Sequence, residues 1–272
     1  MNKGILYLVA TPIGNLEDMT FRAIRILKEV DLIAAEDTRQ TLKLLNHFEI
    51  SKPMISYHRH NEDVRSGVLI EKLLNGEDIA IVTDAGTPGI SDPGEEIVRC
   101  AIENDITIIP IPGACALINA LIPSGLNTKE FSFYGFLPLN KKLRKEKIEE
   151  IKQDGKTAII YEAPHRIINS LKEFQKELGN REIVVAKELT KIHEKFIRGK
   201  ISEVIEKLGE PKGEYIILIK GEKLEKENDL NILSLEEHYK YYENQGLEKK
   251  EIIKRIAKDR NVTKNEIYKE FI

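Results

Sequence analysis

From Ile5 to Ile109 the chain alternates short apolar runs with helix-patterned stretches, and this alternation limits the fold more than any other feature. The runs are Ile5–Ala10, Asp31–Ala35, Pro53–Ser56, Ile79–Val82 and Ile106–Ile109. Each is short, bounded by turn residues and free of a helical period, so each reads as a strand. Ile5–Ala10 is apolar throughout, which suits a strand buried on both faces. Between the runs lie a helix over Phe21–Glu29 capped by Thr20, one starting at Thr38, one ending at Leu74 before Asn75-Gly76, and one from Pro93 to Glu103. Strands alternating with helices imply right-handed crossovers and a mostly parallel sheet.

Pro110-Ile111-Pro112-Gly113 breaks this rhythm and is the expected domain boundary. Beyond it, a helix is expected over Cys115–Leu121, a strand over Phe131–Phe136, a charged helix over Lys141–Lys152 and a strand over Thr157–Tyr161. A helix ending at Leu178, a strand over Glu182–Lys187, a helix over Ile201–Leu208 and a strand over Glu214–Lys220 follow. This half reads as α+β with antiparallel pairing. Leu224–Leu230 is charged and without apolar pattern, a linker. Helices over Leu235–Gln245, Lys249–Lys258 and Lys264–Phe271 complete the chain, the last two joined by a turn at Asn261-Val262 with Thr263 as cap. Two short helices joined by a tight turn after a leading one resemble a helix-turn-helix module, with a small packing or dimerisation appendage as the plain reading. Lys250, Lys254 and Lys258 fall four apart on one face of it. The expected domains are residues 1–112, 113–222 and 231–272.

The 272 residues carry 42 Lys and Arg against 45 Asp and Glu, a net charge of −3, so any nucleic-acid surface must be local. Two cysteines, Cys100 and Cys115, without framework spacing point to a reducing compartment and no disulfide. No window is apolar for long enough to span a membrane, and the first residues run straight into a strand, so a cytoplasmic protein is expected. Cys and His spacings fit no zinc site, and no metal is expected.

The strand Ile79–Val82 runs into Thr83-Asp84-Ala85-Gly86-Thr87-Pro88-Gly89-Ile90-Ser91-Asp92-Pro93-Gly94. Three Gly, two Pro, two Asp, two Thr and one Ser in these twelve residues exclude a helix or strand interior. Most connections are only a few residues long, and ligands of open α/β sheets sit outside the carboxyl ends of the strands. A ligand loop is the sharp reading; an ordinary Gly/Pro connector is the plain one. A dinucleotide fingerprint is missing: the loop after the first strand holds a single glycine, Gly14, although Glu36 lies where a ribose-binding acid would sit. No P-loop and no G-x-S-x-G occurs.

Seven stretches in order resemble one family. They are Leu8–Asp18 (LVATPIGNLED), Ala34–Arg39 (AAEDTR), Ser56-Tyr57-His58 with Asn61-Glu62, Asp84–Gly94, Pro110–Gly113, Tyr161-Glu162 with Pro164-His165-Arg166, and Lys187–Lys191 (KELTK). The chain resembles the small-subunit ribosomal RNA ribose methyltransferase I proteins, a branch of the tetrapyrrole methylase superfamily. The resemblance covers Ile5 to about Gly221 and extends to the helical tail. It implies an α/β fold of two domains, with a parallel-rich N-terminal sheet, a mixed-sheet second domain and a small helix-turn-helix-like tail. It further implies S-adenosylmethionine in the cleft between the domains, methylation of the 2′-hydroxyl of a cytidine in 16S ribosomal RNA near the decoding centre, and a homodimer. The RNA partner would be 16S rRNA or the 30S subunit.

By motif, the resemblance implies a cofactor site of Pro12, Asp84, Ala85, Gly86, Thr87, Pro88, Ile90, Cys115, Ala116, Glu162 and Leu189. The usual pattern after the Pro-Gly at Pro112-Gly113 reads Pro-Ser-Ala; here Ala114-Cys115-Ala116 stands in its place, which removes an expected hydroxyl. Ser91–Gly94 is expected to shape the turn rather than touch a ligand.

A sulfonium cofactor carries its own leaving group, so positioning is the main demand on the protein. A ribose hydroxyl still needs help to lose its proton. Candidates at strand ends are Asp37, Glu162, His165, Lys187 and Glu188, with Lys187 and Glu188 favoured as the catalytic pair; the plain reading is that this pair and Glu36-Asp37 only orient loops through hydrogen bonds. RNA would be held by the cluster Lys141, Lys142, Arg144, Lys145 and Lys147, and by Arg39, His58, Arg59 and Arg166 at the cleft mouth. Tyr57 and Tyr161 are candidate stacking platforms for bases. A small-molecule or protein-directed methyltransferase of the same superfamily is the alternative reading, and a non-enzymatic nucleic-acid-binding protein is the third.

Overall fold

The computed structural model describes residues 2–222, 230, 233–260 and 262–271. The chain forms two compact units, Met1–Gly221 and Glu222–Ile272. The first contains two five-stranded sheets.

The first sheet holds β1 (Ile5–Val9), β2 (Leu32–Ala35), β3 (Met54–Ser56), β4 (Ile79–Val82) and β5 (Thr107–Ile111) in the order β3-β2-β4-β1-β5. Every pairing is parallel, as the strand–helix alternation requires. The crossovers are α1 (Phe21–Glu29), α2 (Thr38–His47), α3 (Glu62–Leu74) and α4 (Glu95–Glu103). β2 and β4 are fully buried and separate two apolar layers, one around Leu27, Ile33 and Val82, the other around Leu6, Leu69 and Ile81. β1 is less enclosed than its composition suggests, since Tyr7 and Leu8 are only half-buried. Thr20 caps α1 through its side chain, as expected. Asp37, one residue before the expected start, caps α2.

Two boundaries differ from expectation. Gly94 caps α4, so Pro93 lies outside the helix. β5 continues through Pro110 to Ile111, beyond the expected break. A proline is tolerated there because β5 is an edge strand and needs no donor on its open side.

The second sheet holds β6 (Phe131–Phe136), β7 (Thr157–Glu162), β8 (Glu182–Lys187), β9 (Lys195–Lys200) and β10 (Tyr215–Ile219) in the order β6-β7-β10-β8-β9. β6 pairs parallel with β7, and the remaining pairs are antiparallel, so the sheet is mixed. β9 was absent from the sequence-based elements: its exposed, charged sequence KFIRGK has little apolar signal, and pairing to β8 alone defines it. Its helices are α5 (Ala116–Leu121), α6 (Lys141–Gln153), α7 (Ile167–Leu178) and α8 (Ile201–Lys207). One face packs on α6, α7 and α8 through Ile148, Phe174 and Val204. The other receives α5 together with Ile13, from the loop after β1, in a layer with Ile159, Ala186, Leu189 and Ile216. That shared layer joins the two halves.

The second unit contains α9 (Leu235–Glu243), α10 (Lys249–Asp259) and α11 (Lys264–Glu270) around Ile252, Ile253, Ile256 and Ile267. Ser234 and Thr263 each close a capping box, with Glu237 and Glu266. Fully buried His238 accepts from Arg260 Nε at Nδ1 (3.2 Å), so its Nε2 carries the proton and donates to Asp259 (3.2 Å). Burial lowers its pKa, and the neutral ring stacks on Tyr242. Lys250, Lys254 and Lys258 are exposed along α10. Apart from Leu230 and Val262, the expected linker Leu224–Leu230 and turn Asn261-Val262 lie outside the described residues. Among the described residues, no helix is long and apolar enough to cross a membrane.

Candidate functional site

A cavity of about 410 Å³ opens in the first unit where the two sheets face each other. The carboxyl ends of the first sheet supply one side: Ile13 after β1, Glu36 after β2, residues 84–87 and 90–92 after β4, and Cys115-Ala116 after β5. This is where ligands of open α/β sheets lie. The second sheet supplies Phe136 from β6, Tyr161–Pro164 at the end of β7, Ala186 and Leu189 around the end of β8, and Glu214, Tyr215 and Ile216 at the start of β10.

The β4 loop is fixed by its backbone. Gly86 exchanges two hydrogen bonds with Thr11, N to O at 3.0 Å and O from N at 2.8 Å, tying the loops after β4 and β1 together. Its φ of +89° is a left-handed value, and a Cβ there would sit 3.3 Å from Ile13 Cγ2. Glycine therefore meets both a conformational and a steric demand. Gly14, in the facing loop, has a φ of +154°; a Cβ there would meet Thr190 and Lys191 side-chain atoms at 2.9 and 2.6 Å. Thr87 Oγ1 donates to Ala114 O (3.0 Å), and Arg59 donates to Ser91 O (2.7 Å).

Three carboxylates stand along this side. Asp84 accepts from the Asp37 amide (3.1 Å), and Glu36 accepts from the Asp84 amide (3.3 Å), so each brackets the other's loop. Asp92 receives no hydrogen bond among the described residues. Burial pushes the carboxyls of Glu36 and Asp84 above their ordinary values. Asp92 is pushed up to about 6, first by burial and then by repulsion from Glu36, with Arg59 opposing. The side is strongly anionic and holds an uncommitted acceptor.

Opposite, Glu162 is fully enclosed. Its Oε1 accepts from the Ala163 amide (3.0 Å) and faces Arg166 Nε (3.1 Å); its Oε2 accepts from Ser170 (2.5 Å), with Arg144 at 3.8 Å. Such a clamp leaves little capacity for a ligand. Tyr161 packs edge-on against Phe133 and Phe136, and its hydroxyl accepts from the Leu117 amide (3.1 Å).

The structure brings together most of the sequence-expected residues. Asp84, Ala85, Gly86, Thr87, Ile90, Cys115, Ala116, Glu162 and Leu189 all line the cavity; Pro12 and Pro88 do not. Cys115 stands at the N-cap of α5 without a side-chain capping bond, as the missing hydroxyl implies. Ser91 and Asp92, expected only to shape a turn, also line the cavity.

The favoured catalytic pair stands behind the wall. Lys187 and Glu188 are not among the lining residues. The Lys187 ammonium lies 5.6 Å from the Tyr215 ring centroid. Glu188 Oε1 accepts from the Glu214 amide (2.9 Å) and Lys191 Nζ (3.1 Å). Asp37 caps α2 and is bound by Arg39, whose guanidinium and amide bonds hold its carboxyl down at about 2. His165 is exposed and outside the lining. Arg39, His58, Arg59 and Arg166 do not line the cavity either, and Arg59 and Arg166 support backbone carbonyls. Tyr57 is buried with its hydroxyl 3.1 Å from Ser66 Oγ, so no base can stack on it. Sequence reading missed Ile13, Phe136, Ala186, Glu214, Tyr215 and Ile216 as site residues; each is an ordinary residue in an ordinary strand or loop.

Residues 5–205 match the family model described as Tetrapyrrole (Corrin/Porphyrin) Methylases. Among curated relatives, the chain is 51% identical to a Ribosomal RNA small subunit methyltransferase I of Halalkalibacterium halodurans, over 98% of this chain and 94% of that one. A protein of the same name from Bacillus subtilis is 50% identical, over 97% and 93%. Among solved structures, uroporphyrin-III C-methyl transferase from Thermus thermophilus, complexed with S-adenyl homocysteine, superposes with a TM-score of 0.56 at 19% identity, covering 79% of this chain and 97% of that one. Diphthine synthase superposes with a TM-score of 0.62 at 14% identity, covering 80% and 90%. The structural neighbours share the fold, and the full-length relatives narrow the branch: the chain belongs to the tetrapyrrole methylase family, among the ribosomal RNA small subunit methyltransferase I proteins.

Proposed function

We propose that the protein uses S-adenosylmethionine to methylate the ribose 2′-hydroxyl of a cytidine in 16S ribosomal RNA near the decoding centre. The observation that carries this reading is the cavity between the sheets, whose lining joins a backbone cradle to an anionic side, in a chain about half identical to named ribosomal RNA methyltransferases. The lining fits the cofactor. Backbone at Asp84–Thr87, Ile90, Cys115 and Ala116 offers close approach without bulk. Ile13, Leu189 and Ile216 form an apolar surface suited to a flat aromatic base. Asp92 offers a free carboxylate to a ligand that carries an ammonium and a sulfonium. Pro12 and Pro88 act through loop shape, and Glu162 through the clamp that fixes the far wall.

When bound, S-adenosylmethionine supplies an electrophilic methyl group with a neutral thioether as leaving group. What remains for the protein is orientation and removal of the hydroxyl proton. Glu188 and Lys187 contribute as positioning residues, holding Glu214 and Tyr215 at the cavity wall. The lobes at residues 1–112 and 113–222 enclose the cofactor, and the helical module at 231–272 contributes an RNA contact through α10. The active form is a homodimer in the cytoplasm, acting on 16S rRNA or on the 30S subunit.

The test is transfer of labelled methyl groups to free 16S rRNA, 30S particles and porphyrinogens, followed by nuclease digestion. Label in a 2′-O-methylcytidine is expected; label confined to a porphyrinogen would refute the assignment. In the same assay under single-turnover conditions, Glu188→Gln is expected to slow transfer less than about a hundredfold, the range for a misplaced wall; a loss of roughly several thousandfold would make Glu188 a participant in the chemistry.

A further inference from the structure

Three aromatic rings line the cavity: Tyr161, Tyr215 and Phe136. Tyr215 is buried, and its hydroxyl accepts from the Lys212 amide (3.1 Å). Tyr161 is half-buried, with its hydroxyl taken by Leu117. Phe136 differs from both. It is 56% exposed, ends β6 at the edge of the second sheet, and pairs in register with Tyr161. The Tyr161 ring meets it at 68° and 5.6 Å, an edge contact, and more than half of the Phe136 surface stays exposed beside it. Of the three rings on the cavity lining, Phe136 is the one that keeps most of its surface exposed, where a ligand can cover it.

The segment after Phe136 continues the pattern. Leu137 is buried, and its carbonyl is anchored by Arg166 (3.0 Å). Leu139 is 83% exposed. Asn140 caps α6, and Lys141 and Lys145, exposed on its first turns, form no ion pair among the described residues. Five chain steps separate Phe136 from Lys141, a span of at most about 18 Å. The other members of this basic cluster are committed. Arg144 is held at 2.5 Å by Glu173, and Lys147 lies between Glu150 and the Tyr134 ring. Lys142 faces Glu146 at 4.0 Å.

We propose that Phe136 is the stacking platform for the target base, and that Leu139, Lys141 and Lys145 extend it as a docking strip for the flanking single-stranded RNA. The proposal rests on the ribosomal RNA reading above and names the surface that would carry it. Proteins read single-stranded RNA by stacking splayed bases on aromatic faces, with cations along the phosphates. Enzymes that do chemistry on a base draw it out of its stack, and a base splayed in the same way to expose its ribose would be received by a ring on the lining of the site. An apolar partner protein would not need two free lysines beside the platform, whereas a polyanion does.

The test uses the full-length chain, a single-stranded oligocytidine carrying a fluorescent cytidine analogue, and S-adenosylhomocysteine. Wild type should quench the analogue. Phe136→Ala and the volume-retaining Phe136→Leu should lose the quenching and weaken RNA binding about tenfold or more, while Phe136→Trp restores both. Lys141→Ala with Lys145→Ala should lower the slope of log affinity against log salt by a little over one unit and leave the quenching in place. Three kinds of result would overturn the proposal. One is RNA affinity within twofold of wild type in Phe136→Leu, or no quenching by wild type. A second is a loss confined to S-adenosylhomocysteine binding measured by calorimetry, which would make Phe136 a cofactor wall. The third is dissociation of a dimer in Phe136→Ala, seen by light scattering, which would assign the ring to a second copy. Failure of the underlying reading is separate: wild type would then transfer no methyl group to 16S rRNA or 30S particles.

Discussion

On the side of the first sheet, the main part of the cavity wall is the loop after β4, whose shape is set by its main chain through Gly86, Thr11 and the Arg59–Ser91 bond, with Ile13, Glu36, Cys115 and Ala116 beside it. On the side of the second sheet it is walled by residues of β6, β7, β8 and β10 and of the loops after β7 and β8, supported by the Phe136–Tyr161 contact, the Glu162 clamp and a shared apolar layer. A main-chain wall fails when its conformation fails. A side-chain wall fails when its support is removed. The two should therefore respond differently to substitution, the first in ligand affinity and the second in stability.

The largest effect is expected at Glu162. Its carboxylate is fully enclosed between Arg166, Ser170, Arg144 and the Ala163 amide. Removing one partner of a buried ionic cluster leaves the others uncompensated, at a cost of about 3–5 kcal/mol. Glu162→Ala should lower the melting temperature by roughly 10 °C, read by calorimetry. If the melting temperature held and only cofactor affinity fell, Glu162 would be a ligand and the two walls would be alike.

The same contrast explains what the sequence disclosed. The main-chain wall was legible because its composition is abnormal: three glycines and two prolines in twelve residues have few uses other than a shaped loop. The parallel sheet was legible because β2 and β4 are unbroken apolar runs. The side-chain wall was hidden. Phe136, Ala186 and Ile216 are typical strand residues, and only pairing order decides that their ends converge. β9 was hidden for a related reason, being an edge strand with a charged sequence. Lys187 and Glu188 drew attention as charged residues at a strand end, yet Glu188, at a φ of +50°, uses its carboxylate to hold the start of β10. Spacing tells which residues end a strand; it does not tell which way a side chain points once the backbone turns left-handed.

Next in size is Gly86→Val. A β-branched residue at a φ of +89° is strained by more than the roughly 1–2 kcal/mol typical of left-handed non-glycine residues, and its Cβ crowds Ile13 Cγ2. The loop can relieve this by leaving the Thr11 bridge, which dissolves the cradle. S-adenosylhomocysteine affinity should fall at least tenfold, while the melting temperature changes by only a few degrees because the loop contributes little to either core. A large loss of stability with intact affinity would show the cradle to be structural.

The smallest effect, and the most discriminating, is at Asp92, where affinity and stability should move in opposite directions. Its carboxyl is pushed up to about 6 by burial and by Glu36, against the help of Arg59, with Asp84 adding a smaller repulsion. An unfolded aspartate titrates near 3.9. Between these values the folded state binds more protons than the unfolded one, so Asp92 makes stability fall as pH rises through that window. Above about pH 6 the protein carries a charge that folding disfavours. Asp92→Asn should therefore match or exceed wild-type stability at pH 7, and its stability profile should be flatter between pH 4 and 6. Cofactor binding should do the reverse. If the ionised carboxylate receives the cofactor's ammonium, wild-type affinity rises with pH up to about 6 and then levels, whereas Asp92→Asn binds several-fold more weakly at pH 7 and loses the step. Calorimetric titration with S-adenosylhomocysteine across pH 5 to 8, beside thermal melts in the same buffers, separates the two. Equal affinity in both proteins at pH 7 would remove Asp92 from the cofactor site and leave the main-chain wall to act through its amides and carbonyls alone.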